Sequence, residues 1–187
     1  MATKNFRNLF LIATILTLFS FDFEKAEGWF SAGSKPKSYD MGIDKGAGQD
    51  GKNCASIKSK DRRINGFGTL MQNFSPDKYI GKKIRMTGFM KSKDVDQWAG
   101  FWLRIDLANS KNILDNMYDR PVKGNTEWTK YEIVLEVPET AKNIGFGALL
   151  HGTGQVWFDN LNFELADPSV PTTKKIKEEP TNLNFDK

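Results

Sequence analysis

The chain has one cysteine and one histidine in 187 residues. A lone Cys54 excludes an internal disulfide and a thiolate metal cluster, and one His with one Cys makes a poor zinc site. In the context NCASIKS it reads as a small apolar side chain buried on a strand. Helical signal is also scarce, since no stretch keeps a 3.6-residue period long enough for a major helix. No P-loop or G-x-G-x-x-G stands between a strand and a helix, so nucleotide chemistry has no support. Charge of one sign is not concentrated: the formal net charge is only +4, and Lys and Arg are scattered rather than clustered. That pattern is a solvated surface, not a nucleic-acid footprint. No internal repeat is evident.

What is present begins with an address. Lys4 and Arg7 precede a short apolar run, residues 9–21 (LFLIATILTLFSF), and residues 22–27 are polar. This is the layout of a secretory signal peptide, and the run is short for a bilayer span. Ala26 is the best small residue before a cut, although Glu24 departs from the usual A-x-A pattern. Residues 1–26 are therefore expected to be a signal peptide and the protein to be secreted or periplasmic, with no membrane association after cleavage. No lipobox cysteine follows the run. At the other end, residues 166–187 (ADPSVPTTKKIKEEPTNLNFDK) carry three prolines and mixed charge, and are expected to be a flexible tail, with Leu183 and Phe185 available to dock on the domain or on a partner.

Between these ends, residues 27–165 read as one domain of successive strands. Candidate strands are 28–33, 37–43, 53–58, 67–74, 82–91, 97–106, 112–118, 127–137, 143–151 and 155–165, separated by Gly-, Pro- and Asp-rich turns. The expected fold is all-β, a jelly-roll sandwich of about nine antiparallel strands.

The stretch that organises the domain is 97–106, QWAGFWLRID. Phe101, Leu103 and Ile105 fall on one face, and Trp98, Gly100, Trp102, Arg104 and Asp106 on the other. The first face is core. The second aligns an indole, a guanidinium and a carboxylate, a plausible floor for a polar ligand.

Four segments carry a resemblance: GWFSAG, GQDGKNCASIKS, GFGTLMQNF and the closing GQVWFDNLNFEL. Together they resemble the galactose-binding-like jelly rolls, especially carbohydrate-binding modules appended to bacterial polysaccharide-degrading enzymes. The closing strand reads Trp157-Phe158-Asp159-Asn160, where such modules often have a second acid. More narrowly, AGFWLRID, DNMYDRPVKGNTEW and GQVWFDNLNFE look like an uncharacterised bacterial domain that also occurs fused to transcription regulators. The resemblance implies binding on a concave sheet face or its rim loops.

On that reading Trp102, Arg104 and Asp106 form the floor, and Glu132 and His151 join them from neighbouring strands. Asn116, Tyr118 and Arg120, in the loop beside Pro121, are the expected rim; the alternative for Asp115 and Asp119 is that they bond their own backbone in turns. Sugars suit such a site, because indoles take their apolar ring faces and Arg or Asp fix their hydroxyls. The competing view makes Trp102 a packed core residue and Arg104–Asp106 a structural ion pair. The resemblance also offers Asp159 as a ligand to a structural calcium, with Asp40, Asp44 and Asp50 the nearest early carboxylates. Calcium wants six to eight oxygens.

Catalysis is the weakest reading. Asp106, Glu132 and Asp115 are the carboxylates a glycosidase would have to pair. His151 lies in HGTG, without a nucleophile elbow. The expectation is a non-catalytic module for a glycan or another small polar ligand, with a protein-interaction or structural module as the alternative.

Overall fold

The computed structural model describes residues 23–174 and Leu183. Of residues 1–26, read from the sequence as a signal peptide, 1–22 lie outside the described residues, whereas Glu24 and Ala26 are part of the folded domain. Nine strands make up the fold: β1 (Phe30–Gly33), β2 (Tyr39–Asp44), β3 (Cys54–Ser59), β4 (Phe67–Phe74), β5 (Lys82–Leu107), β6 (Asn112–Asp115), β7 (Val122–Val137), β8 (Ala141–His151) and β9 (Gln155–Ala166). A single 3-10 turn, Pro36–Ser38, is the only helical piece among the described residues. None of the described helices is long and apolar enough to cross a membrane. All pairings are antiparallel, in the order β1-β4-β8-β5-β9-β3-β2, with β6 and β7 also paired to β5. This is the expected all-β jelly roll.

The two candidate strands 82–91 and 97–106 are one 26-residue strand. Its first half alternates Ile84, Met86, Gly88 and Met90 inward with Arg85 and Thr87 outward, and pairs with β7 and β9. Its second half pairs with β8 and β6. Between them the register against β7 shifts three times, and Asp94 has φ +53°. Bulges of this kind bend a strand and sharpen its twist, so that one strand serves two sheets. The front sheet is then β1-β4-β8-β5-β6 and the back sheet β7-β5-β9-β3-β2.

The core lies between them. Phe101, from the second half of β5, packs over Gly88 in the first half, where an added Cβ would come within 2.9 Å of the ring. Phe101 also meets Phe158 of β9 edge-on at 6.1 Å. Ile84, Leu103, Ile105, Ile133, Leu135, Ile144 and Leu150 are each at most 1% exposed. Each such side chain contributes about 1.5–3 kcal/mol on leaving water. Cys54 is buried as expected; burial, aided by nearby Asp44, pushes its thiol up to about 12. At that value it is an inert packing group.

Both ends of the domain join the sheets. Glu24 forms a bridge with Ile43, and Ala26 is buried. The stretch read as a tail starts with anchored contacts. Lys83 Nζ donates to the carbonyls of Pro168 (2.7 Å) and Val170 (2.8 Å). Thr173 N donates to Val134 O and Thr173 Oγ1 accepts from Val134 N, both at 2.9 Å, so Val134 is covered on the outer face of β7. Leu183 is 74% exposed, and Phe185 lies outside the described residues.

Candidate functional site

Register fixes which side chains share the outer face of the front sheet. Reading across strands, Phe67, His151 and Trp98 form one row. Phe30, Met71, Gly147 and Trp102 form a second, and Asn73, Gly145, Arg104 and Leu114 a third. The Trp102 indole lies beside Gly145 on the middle strand, where an added Cβ would stand 3.4 Å from its ring. The indole spans β8 to reach β4, where its Nε1 donates to Thr69 Oγ1 at 2.8 Å, and Thr69 in turn donates to the Ala148 carbonyl at 2.7 Å. Met71 and Leu149 pack against it, leaving Trp102 6% exposed.

A cavity of about 250 Å³ opens above this floor, lined by Phe67, Thr69, Met71, Leu149 and Leu114 with Trp102, Arg104 and Asn116. Arg104 lies 5.9 Å from the Trp102 ring, near enough for a cation–π contact. Its Nε and Nη2 sit 2.8 and 3.1 Å from Asp106 Oδ1 and Oδ2. Asp106 also accepts from Asn143 Nδ2 at 2.9 Å. The structural ion pair weighed from the sequence is therefore present, and it aims the guanidinium along the cavity wall. Asp106 itself is the anchor and does not line the cavity.

Asn116 reaches the cavity because the loop after β6 is held rigidly. Asp115 Oδ1 accepts from Met117 N at 2.9 Å, and Met117 adopts φ +59° with its side chain wholly buried. A bulky residue in the left-handed region persists only where its surroundings fix it. Asp115 Oδ2 accepts from Arg120 Nη2 (2.7 Å) and Thr173 Oγ1 (2.6 Å). Burial pushes the Asp115 carboxyl up, but its bonds to Arg120, Thr173 and Met117 N outweigh that and hold it below the ordinary carboxylate range.

Two expected contributors are elsewhere. Arg120 is spent on Asp115 and Asp119 and on the Glu132 carbonyl, and does not line the cavity. Glu132 is on the back sheet, paired opposite Thr87, where it faces Arg85 at 3.5 Å. Reading 82–91 and 97–106 as separate strands hid this, because β7 pairs with the half of β5 that lies in the other sheet.

At one end of the face His151 stacks on Trp98 at 6.2 Å and 13°, and Tyr118 meets Trp98 edge-on at 5.6 Å. Tyr118 is 71% exposed. His151 Nδ1 is buried without a hydrogen-bond partner among the described residues. The sequence puts Trp98 on the same face as Trp102, four positions before it, but Trp98 was not among the expected binding residues.

No Asp or Glu lines the cavity, so the paired carboxylates of a glycosidase are not assembled there. Asp159, the calcium candidate, accepts from Asn160 N at 2.7 Å and from Gln49 N at 3.4 Å. Asp44 accepts from Trp157 Nε1 at 2.7 Å. Among the described residues no group of three or more His, Cys, Asp or Glu is arranged to hold a metal ion. These side chains alone do not make up the six to eight oxygens of a calcium shell.

No protein-family profile matches the sequence. The chain is similar to an uncharacterized HTH-type transcriptional regulator, YbfP, of Bacillus subtilis, with 42% identity over 170 residues, 87% of this chain. It spans 58% of the length of that relative. Similar solved structures include the Clostridium thermocellum xylanase 10B CBM22-1–GH10 modules complexed with xylohexaose, at 16% identity and TM-score 0.58 over 82% of this chain and 29% of that one. The CBM22-1 xylan-binding domain of Paenibacillus barcinonensis Xyn10C follows at 12% identity and TM-score 0.54, over 78% of this chain and 90% of that one. A family 16 carbohydrate-binding module matches at 12% identity and TM-score 0.55, over 75% and 95%. The chain has the jelly-roll fold of carbohydrate-binding modules, and its sequence resembles part of a transcription regulator.

Proposed function

We propose that this chain is a secreted, non-catalytic module that binds a glycan on the outer face of the front sheet. The observation that carries this is the Trp102 floor with Arg104 and Asn116 on one wall of an otherwise apolar cavity. A sugar ring has apolar C–H faces and an equator of hydroxyls. Trp102, Met71 and Leu149 suit the first, and Arg104 and Asn116 supply fixed donors and an amide acceptor for the second. Trp98, His151 and Tyr118 extend the face by an aromatic platform long enough for a second ring. The solved structures that share the fold include modules bound to xylohexaose or described as xylan-binding, which supports the class of ligand.

The test is thermal melting and calorimetric titration against a panel of oligosaccharides, xylohexaose included. A ligand of the folded state raises the melting midpoint by mass action. Arg104→Ala and Asn116→Ala should each weaken binding by about tenfold, the loss of one good hydrogen bond to a charged or fixed group. No shift with any glycan would instead favour a protein partner, for which Phe30 (44% exposed), Leu114 (37%) and Tyr118 provide apolar contacts bordering the same face.

A further inference from the structure

Hydrogen-bonding capacity along the front cavity is one-sided. Of the polar side chains that line it, Thr69 is already committed, its Oγ1 accepting from Trp102 Nε1 at 2.8 Å and donating to the Ala148 carbonyl at 2.7 Å. Arg104 carries only N–H donors and no acceptor. Asp106 engages its Nε and Nη2 edge, at 2.8 and 3.1 Å, and Nη1 has no partner among the described residues. Asn116 Oδ1 accepts from Tyr118 N at 3.3 Å, whereas Nδ2 has no partner among the described residues. No Asp or Glu lines the cavity, so its side chains are rich in free donors and poor in acceptors. The floor is also nearly closed: Trp102, Met71 and Leu149 are 6%, 7% and 6% exposed. At about 250 Å³ the cavity is smaller than the roughly 300–1,000 Å³ of pockets that enclose a drug-sized ligand. Such a floor admits a small apolar group more readily than the full face of a ring.

We infer that the front cavity selects a glycan bearing an O-acyl group, the simplest being an O-acetylated sugar. The inference rests on the front-face reading and names the ligand class for it. An ester carbonyl accepts from Arg104 and from Asn116 Nδ2 and brings no donor of its own, while its methyl group packs on Trp102, Met71, Leu149 and Leu114. A free hydroxyl in the same place brings an O–H that finds few acceptors, and a buried donor left without a partner is costly. An N-acetyl group has the same defect in its amide N–H. A sugar carboxylate accepts well, but Arg104 already has Asp106 against it and no second cation lines the cavity, so the added charge goes unpaired.

The experiment is calorimetric titration of the whole chain with four probes: an O-acetylated xylo-oligosaccharide, the same oligosaccharide after alkaline deacetylation, a glucuronate-substituted one, and an N-acetylglucosamine oligomer. The acetylated form is expected to bind at least about tenfold tighter than each of the others. Asn116→Asp keeps the shape and the bond from Tyr118 N but replaces the free amide donors with an acceptor, and should narrow the preference for the acetylated over the deacetylated form by about tenfold. Should that variant fail to fold, Leu114→Asn on the exposed rim, which removes part of the apolar wall, gives the same reading. Equal or tighter binding of the deacetylated, glucuronate or N-acetyl probe, or an unchanged preference in Asn116→Asp, would overturn the inference and leave the front-face reading in place. Binding of none of the four would overturn both.

Discussion

Trp102 on β5 and Thr69 on β4 are joined by a 2.8 Å hydrogen bond although β8 runs between their strands. The indole crosses β8 beside Gly145, and Met71 and Leu149 pack against it. The bond makes Trp102 both the floor of a cavity and part of the fold. Trp102→Ala should cost about 3–5 kcal/mol, as large-to-small changes at packed aromatics do. Trp102→Phe keeps most of the volume but strands Thr69 Oγ1, and should cost about 1 kcal/mol. Chemical denaturation of both variants checks this, and equal small losses would show the ring to be loosely held.

Asp115 sets a pH dependence. Its carboxyl is held below the usual range in the fold, so its stabilisation is present above the unfolded carboxylate pKa of about 3.9 and is lost as pH falls through the lower folded value. Asp115→Asn should destabilise the protein at neutral pH by about 3 kcal/mol, because Arg120 loses its buried partner. It should also flatten the acid limb of stability against pH. Parallel acid limbs for the two proteins would refute the assignment.

Thr173 closes the outer face over Val134. A chain ending at Ala166 should melt several degrees lower than the whole chain, since Val134 is exposed and Asp115 loses one of its donors. Thr173→Val should reproduce part of the loss. A truncated chain that melts with the full one would place these contacts outside the cooperative unit.

Chelation should leave the melt unchanged. Asp159 already accepts two backbone N–H groups, and no trio of acidic side chains surrounds it among the described residues. A fall in midpoint with EDTA, restored by calcium, would show that backbone carbonyls complete a shell.

Much of the fold was legible because each strand carries its own alternation. Phe101, Leu103 and Ile105 are buried and Trp98 and Arg104 face outward, as period two requires. The pairing of strands was not legible, since alternation says which way a side chain points but not what lies beside it. Glu132 and Arg120 were misplaced for that reason: their neighbours depend on β5 changing sheets at a bulge centred near Asp94. Trp102 was put on the correct face, yet its burial depends on Met71 and Leu149, which lie on two other strands far away in sequence. The tail was read from prolines and charge. Its anchorage rests on Thr173 meeting Asp115 and Val134, a long-range match with no local signal.

The position of β9 carries a consequence for how the chain assembles. It is the last in sequence of the described strands, yet it sits inside the back sheet, between β3 and the first half of β5. Until residues 155–166 emerge, both of those strands present open edges and the hydrophobic interior has no lid on that side. Folding therefore waits for residues 155–166, proceeds through sequence-distant pairings, and belongs to the slow regime of all-β topologies. A nascent chain of this kind stays open on that side, and in need of shielding from aggregation, until β9 has emerged.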